Sequence, residues 1–289
     1  MKMSNILVTG SNGQLGSEIR AIAKDYPQFN FVFTDVDELD LTSFSAVEKT
    51  FKGGNFYACI NCAAYTAVDK AEDDQELAML INFIAVENLA TICQANNTFL
   101  VHVSTDYVFS GLHYKPYEET DPVSPDSYYG LTKLKGEEAA LSICDKAAIL
   151  RTSWLYSSFG NNFVKTMMRL GKERDELGVV VDQVGTPTYA ADLAQAIISI
   201  IIKNGNKNIK QVYHYSNEGV ISWYDFAKAI MHHGNIDCKV NAIESKDFPA
   251  KANRPFYSVL NKAKIKHDFK IEIPYWQDSL KKMLTKLEN

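Results

Sequence analysis

The sequence predicts an α/β fold in which a doubly wound parallel sheet is followed by a smaller C-terminal region. Three observations favour this prediction. Apolar runs of strand length alternate with amphipathic segments as far as Trp154, the first run ends in a glycine-rich turn, and the alternation loosens beyond Trp154. The 289 residues, 46% of them hydrophobic, are also enough to bury a core of this size.

The first element is an apolar run at residues 6–8 that stops at a turn containing Gly10, Gly13 and Gly16. An amphipathic segment follows at 14–24. Strand, glycine turn and helix in this order are typical of a Rossmann-type dinucleotide-binding unit, because N–H groups at the start of the helix can approach a pyrophosphate. Glycines also form ordinary turns, so the triplet alone leaves both interpretations open.

The second predicted strand, 29–35, ends at Asp35, which is 19 residues beyond Gly16. In a dinucleotide-binding fold, a carboxylate at this spacing accepts hydrogen bonds from the hydroxyls of the adenosine ribose. The alternative is that Asp35 only begins an acidic loop. Because the carboxylate would repel a 2′-phosphate and no Arg or Lys lies nearby in sequence, we expect NADH to be usable, and NADPH only with another compensating cation.

Hydroxyl groups follow the strand predicted at 99–103, where Thr105 stands at the strand end. A long proline-containing loop, 108–127, leads to a helix on which Tyr129 and Lys133 are four residues apart and share one face. An ammonium beside a phenol is expected to lower the phenol pKa toward the range useful for proton transfer. Tyr224 and Lys228 repeat the spacing but follow no such strand end, so we interpret them as structural.

The pattern predicts two regions. Residues 1–153 form the dinucleotide-binding domain, and 154–289 form mainly a substrate-binding region, with segments near 180–233 returning to the Rossmann domain. Helices are predicted at 161–169, 192–203, 222–233 and 276–287, and a short strand at 179–182.

Composition excludes several classes of protein. A net charge of −5 argues against a nucleic-acid partner, and no apolar run approaches the length needed to span a membrane. An odd count of five cysteines fits a reducing cytoplasm. Cys59 and Cys62 form a C-x-x-C at a strand end, where we expect buried thiols and no metal site.

Longer motifs carry a resemblance along almost the whole chain. They are Gly10-x-x-Gly13-x-x-Gly16, 61–72, 104–109, Tyr129 to Lys133, 151–154, 160–163, 182–187 and Arg254-Pro255. With these motifs the chain resembles the extended short-chain dehydrogenases/reductases, and closely the dTDP-4-dehydrorhamnose reductase family. The resemblance implies NAD(P)H-dependent reduction of the C4 ketone of dTDP-4-dehydro-L-rhamnose to dTDP-L-rhamnose, the last step of dTDP-L-rhamnose biosynthesis.

The resemblance also implies site residues. The catalytic set is Thr105, Tyr129 and Lys133. The residues around the cofactor are Gly10, Gly13, Gln14, Leu15, Gly16, Asp35, Asp40, Leu41, Ala63, Ala64, Tyr65 and Thr66, with Tyr129 and Lys133. The residues that border the dTDP-sugar are Thr105, Asp106, Tyr107 and Trp154, with Asn162 and Arg254 as candidates for its diphosphate.

Two departures from the family pattern leave questions open. Cys62 stands where the family usually has Ala, and the glutamate cluster that binds Mg at a dimer interface in some members has no match here. Metal dependence is therefore unsupported, and the chain is expected to be a monomer or a homodimer. The alternatives are another sugar-nucleotide reductase, dehydratase or epimerase of this fold, and a non-catalytic regulatory subunit related to the methionine adenosyltransferase partner.

Overall fold

The fold is given by a computed structural model that describes residues 3–204, 208–248 and 250–288. Its strands are β1 (Ser4–Thr9), β2 (Phe29–Phe33), β3 (Phe56–Asn61), β4 (Phe99–Thr105), β5 (Ala147–Thr152), β6 (Leu155–Tyr156), β7 (Glu176–Val180), β8 (Val184–Gly185), β9 (Thr188–Tyr189), β10 (Lys210–His214), β11 (Ile221–Ser222) and β12 (Lys239–Ile243). Its helices are α1 (Gln14–Ile22), α2 (Phe44–Gly54), α3 (Gln75–Met79), α4 (Ala85–Ala95), α5 (Tyr128–Ile143), α6 (Phe163–Glu173), α7 (Ala190–Asn204), α8 (Trp223–His233), α9 (Ala263–Phe269) and α10 (Trp276–Glu288).

The central sheet has six strands in the order β10-β5-β4-β3-β1-β2, and every neighbouring pair is parallel. The chain therefore builds outward in one direction from β1 to β2 and in the other from β3 to β10. Ligands of such sheets bind at the carboxyl ends of the strands, where the strand order reverses. The predicted fold class is confirmed, and the reversal lies between β1 and β3.

Alternate residues of each central strand face two separate apolar layers, as the period of a strand requires. Ile6 and Val8 of β1 pack with α1, α7 and α9 on one side of the sheet, while Leu7 packs with α2, α4 and α5 on the other. Both layers are closed by helices. A parallel sheet buried on both faces explains why its strands read as continuous apolar runs.

A third apolar cluster lies outside the central sheet. It joins α6, α8 and α10 to β7 and β12, with Tyr156 and Phe226 fully buried. The chain beyond Trp154 contributes to both regions, because α7 packs against α1 and β10 pairs with β5, whereas α8 packs against α6.

The segment Gln75–Ala95 is one continuous helix, in which the turn Leu80–Ile84 between α3 and α4 is π-helical. Its length and composition are sufficient to cross a membrane, which corrects the expectation that no apolar stretch is long enough. However, its residues Val86, Leu89 and Cys93 are buried in the layer that also holds α2 and α5. A buried core helix meets the same length and composition criteria.

Several predicted boundaries differ from the observed ones. The strand expected at 179–182 is β7, which begins at Glu176 because it pairs in parallel with β12 from Lys239 onward. Sequence periodicity could not show that partner. Helix α8 begins with a capping box, in which the side chains of Ser222 and Asp225 each accept a hydrogen bond from the other residue's backbone N–H.

Candidate active site

One cleft of about 930 Å³ opens at the carboxyl ends of β1, β3, β4 and β5. Predicted site residues from widely separated parts of the sequence line it together. They are Gly10, Gly13, Gln14, Leu15, Asp35, Asp40, Leu41, Ala63, Ala64, Thr66, Thr105, Asp106, Tyr107, Tyr129, Lys133, Trp154 and Asn162. Three other predicted residues lie outside the lining as the structure describes it, namely Gly16, Tyr65 and Arg254.

The glycine turn forms a backbone cradle at one end of this cleft. Gly10 has a φ of +62°, and a Cβ at this position would lie 2.6 Å from the backbone nitrogen of Ala63. Only glycine fits such a close approach in the left-handed region. Gly16 serves packing within the turn, because a Cβ there would lie 2.6 Å from the carbonyl oxygen of Gly10.

Two opposite charges lie near the end of β2: the carboxylate of Asp35, just beyond the strand, and the guanidinium of Arg20 on α1. The carboxylate of Asp35 accepts hydrogen bonds from the backbone N–H groups of Asn12 at 2.8 Å and Val36 at 2.9 Å. The guanidinium of Arg20 lies 4.2 Å from the centre of the Phe33 ring and donates to Ser11 Oγ at 2.9 Å. Sequence reasoning missed Arg20, because only the folding of α1 against β2 brings it onto Phe33 and Ser11.

Tyr129, at the start of α5, lies against the end of β4. Its ring packs edge-on to Tyr107 at 5.6 Å. Burial raises the pKa of Tyr129, the charge of Asp106 raises it further, and a hydrogen bond with Thr105 lowers it. The sequence predicted that Lys133 would lower the pKa of Tyr129, and this is wrong. The pKa is raised because desolvation of the phenolate outweighs the hydrogen bond with Thr105.

Thr105 and Asp106 form a hydrogen-bonded pair beneath the tyrosine. Thr105 Oγ1 donates to Asp106 Oδ1 at 3.0 Å and accepts from the backbone N–H of Tyr107 at 3.2 Å. Asp106 Oδ2 is buried and has no hydrogen-bond partner. Burial raises the pKa of Asp106 to about 6. A buried acceptor of this kind suits a polar ligand that brings its own donor.

Lys133 is almost fully buried, and its Nζ donates to the carbonyl oxygen of Val103 at 2.7 Å. Burial lowers the pKa of Lys133 to about 8, while the charge of Glu137 raises it. The ammonium has three N–H donors, so this bond leaves donors for a ligand in the cleft.

The far wall of the cleft is aromatic and amide-rich. Trp154, with a φ of +48°, stacks on Trp223 with ring centres 3.7 Å apart. Asn162 donates to the side-chain oxygen of Gln14 at 3.0 Å, which joins the end of the cleft to the glycine turn. The loop after Trp154 therefore closes against α1.

Arg254 stands directly behind the lining. It donates to the hydroxyl of Tyr107 at 3.2 Å and to Asp69 at 2.7 Å, and its Nε is buried without a hydrogen-bond partner. Burial raises the pKa of Tyr107 to about 12. Arg254 therefore does not line the cleft itself but contacts Tyr107, which does.

Metal ligation has no candidate in the part of the chain that the structure describes, where no three His, Cys, Asp or Glu side chains are grouped to hold an ion. All five cysteines are free thiols.

A strand end that carries a threonine hydroxyl faces a helix with Tyr129 and Lys133, at the crevice of a Rossmann-type sheet. This arrangement is that of the extended short-chain dehydrogenases/reductases, and the chain is an oxidoreductase of this nicotinamide-dependent class.

Comparison with known proteins identifies which family of this class the chain resembles. The family profile described as the RmlD substrate binding domain matches residues 3–289. The chain is 41% identical to the dTDP-4-dehydrorhamnose reductase of Aggregatibacter actinomycetemcomitans over 288 residues, covering 96% of this chain and 98% of that protein. A crystal structure of a dTDP-4-dehydrorhamnose reductase from Clostridium acetobutylicum is 43% identical with a TM-score of 0.94, covering 99% of this chain and 100% of the other. The Bacillus anthracis enzyme, solved in complex with NADP, is 38% identical with a TM-score of 0.94 and the same coverage.

These likenesses extend over nearly the full length of every chain compared. The chain belongs to the dTDP-4-dehydrorhamnose reductase family.

Proposed function

We propose that this chain reduces the C4 ketone of dTDP-4-dehydro-L-rhamnose to dTDP-L-rhamnose with NADH or NADPH. One observation carries the proposal. Thr105, Tyr129 and Lys133 line the same cleft as the glycine turn, so a proton donor and a dinucleotide cradle share one space. Relatives that match the full length of the chain bear the name of this activity.

The cleft fits a dinucleotide, because Gly10, Gly13 and the first residues of α1 line it. Backbone N–H groups at the start of a helix bind a pyrophosphate. We assign the glycine turn to the pyrophosphate, Asp35 to the adenosine ribose, and Ala63, Ala64 and Thr66 to the surface along which the cofactor lies. When bound, the reduced nicotinamide supplies the hydride for C4.

The protein's own groups supply the proton and the positive charge. Tyr129 stays protonated at neutral pH because burial raises its pKa, and it donates its proton to the oxygen that forms at C4. Thr105 hydrogen-bonds the same oxygen. Lys133 provides a buried positive charge and binds the nicotinamide ribose. Each hydrogen-bond donor directed at the negative charge that forms on the oxygen stabilises the transition state by roughly 3 kcal/mol.

The sugar nucleotide lies, in this proposal, between the catalytic side chains and the aromatic wall. The unpartnered oxygen of Asp106 accepts from a sugar hydroxyl, and Trp154 packs against the sugar. We assign Asn162, which lines the cleft, and Arg254, whose Nε has no hydrogen-bond partner, to the diphosphate of the sugar nucleotide. We retain residues 1–153 as the dinucleotide-binding domain and the chain beyond it as mainly substrate-binding, in a cytoplasm where its five free thiols remain reduced.

Both cofactors are expected to be used. Asp35 favours the free ribose hydroxyls of NADH, and Arg20 beside Ser11 offers a cation to the 2′-phosphate of NADPH. The Bacillus anthracis relative was solved with NADP.

A dehydratase is the nearest alternative on this fold, and it needs a second acid at the strand end. Tyr107 stands there instead, and burial raises its pKa to about 12. A phenol with this pKa and a hydrogen bond from Arg254 is a poor acid for elimination at neutral pH.

The test is a coupled assay that generates dTDP-4-dehydro-L-rhamnose in place and follows the absorbance of NADH and NADPH separately. The proposal expects one reduced cofactor consumed per dTDP-L-rhamnose formed. Product formation without net cofactor consumption would indicate an epimerase or dehydratase. No turnover, together with co-purification of a methionine adenosyltransferase, would indicate the regulatory subunit.

A further inference from the structure

Three side chains on one face of α5 lie against the end of β4. Tyr129, Lys133 and Glu137 are spaced four residues apart, and all three are buried. The ammonium of Lys133 donates to the carbonyl oxygen of Val103, and the carboxylate of Glu137 accepts from Ser104 Oγ. Lys133 and Glu137 are thus fixed to adjacent residues of one strand. The first two members of this row act in the proposed reaction, whereas Glu137 has no part in it.

Glu137 also receives the guanidinium of Arg151 from β5. Arg151 Nε donates to Glu137 Oε1 at 3.0 Å, and Nη2 donates to Oε2 at 2.7 Å. Both side chains are almost fully buried, at 5% and 2% exposure. One buried carboxylate therefore lies near two buried cations: Glu137 pairs directly with Arg151, and its charge acts on Lys133 one helical turn away. An unpaired buried charge is strongly unfavourable.

The remaining titratable groups near Lys133 do not replace this carboxylate. Burial raises the pKa of the Cys62 thiol far above neutrality, so the thiol carries no charge. His102, on β4, is neutral because burial and the charge of Lys133 lower its pKa. Tyr129 is protonated because burial raises its pKa. The charge of Glu137 opposes the effect of burial and raises the pKa of Lys133.

We propose that Glu137 is a positioning residue that keeps the buried ammonium of Lys133 protonated and aligned on β4. The inference rests on the proposed function for the use of that ammonium in catalysis. The protonation state itself can be measured without cofactor or substrate.

The test is an NMR titration of the Lys133 ¹³Cε resonance in the ligand-free protein, with the resonance identified by its loss in Lys133→Arg. The wild-type midpoint is expected near pH 8. Glu137→Gln keeps the size of the side chain and should lower the midpoint by about one unit or more, because an opposite charge is lost. Glu138→Gln removes the adjacent, exposed glutamate and should leave the midpoint unchanged. An unchanged midpoint in folded Glu137→Gln would overturn the proposal.

A second variant covers the case in which Glu137→Gln does not fold. Replacing both partners of a buried ion pair is often neutral for stability, so Glu137→Gln/Arg151→Met should fold. Lys133 still lacks its carboxylate there, but the loss of the Arg151 cation acts in the opposite direction, so the reference is the single variant Arg151→Met. A midpoint in the double variant equal to that of Arg151→Met would overturn the proposal.

Turnover measured against pH in the same variants separates the role of Glu137 from the catalytic use of the Lys133 charge. A lower midpoint with a matching loss of kcat at alkaline pH supports the roles of both Glu137 and Lys133. A lower midpoint with an unchanged rate profile supports Glu137 but contradicts the proposed catalytic use of the Lys133 charge.

Discussion

The side chain of Asn82 holds both backbone polar groups of Tyr65. Its Oδ1 accepts from the N–H of Tyr65 at 2.9 Å, and its Nδ2 donates to the carbonyl oxygen of Tyr65 at 3.1 Å. The same Nδ2 donates to Thr132 Oγ1 at 3.1 Å, next to Lys133. Asn82 is fully buried in the π-helical turn. One amide therefore joins the cofactor-side loop after β3 to the helix that carries Tyr129.

Asn82→Ala should lower both stability and cofactor affinity. The substitution leaves the backbone N–H and carbonyl of Tyr65 without their partner and removes one donor to Thr132 Oγ1, which should cost about 2–4 kcal/mol of unfolding free energy. Urea denaturation and the Kd of NADH measure the two effects. Glu76→Ala, at an exposed residue on the same helix, is the control and should change neither value appreciably. Normal cofactor affinity in stable Asn82→Ala would show that the loop is held by other contacts.

Tyr129→Phe should reduce kcat by on the order of 10²–10⁴-fold, because it removes the proton donor and little else. The Kd of NADH should change little, since the ring and its edge-on contact with Tyr107 are kept. The matched control is Tyr224→Phe, which alters the second Tyr-x-x-x-Lys pair and should leave kcat unchanged. Near-normal turnover in Tyr129→Phe would refute the assignment of the proton donor.

The sequence was sufficient to predict the sheet and most of the cleft, because the signals involved are local. Apolar runs, the glycine turn and the four-residue spacing of Tyr129 and Lys133 all lie within short windows. Arg20 and Asn82 were missed because their partners, Ser11 with Phe33 and the Tyr65 backbone, are fixed only by tertiary packing.

The prediction that the pKa of Tyr129 is lowered was wrong for a related reason. Spacing on a helix predicts which charges are neighbours but not how deeply they are buried. Here burial dominates for both Tyr129 and Lys133.

Arg20→Gln should weaken the use of NADPH more than that of NADH. The guanidinium beside the glycine turn is expected to pair with the 2′-phosphate, so its loss should lower kcat/KM for NADPH by roughly tenfold. Steady-state rates with each cofactor measure the ratio. Lys24→Gln, which removes an exposed cation just beyond the end of α1, serves as the control. Equal losses with both cofactors would assign Arg20 to packing on Phe33 instead.

The indole of Trp154 is held between two residues of the C-terminal region. It stacks on Trp223 on one side, and on the other a Cβ at Gly185 would lie 2.8 Å from its Cε2. Its left-handed backbone, with a φ of +48°, costs of order 1–3 kcal/mol for a bulky residue and persists only where packing enforces it. The orientation of Trp154 in the cleft therefore depends on Gly185 and Trp223.

Gly185→Ala should displace the indole and raise the KM for the sugar nucleotide by roughly tenfold, while the Kd of NADH changes little. The added methyl group would also meet Ser258 Oγ at 2.5 Å, so neither neighbour can absorb it without moving. Trp223→Ala removes the opposite support and should raise the same KM. Near-UV circular dichroism should lose the signal of the stacked indoles in Trp223→Ala. Gly53→Ala, where a Cβ would have nothing within 4 Å, controls for the substitution itself. An unchanged KM in both variants would mean that the sugar does not contact Trp154.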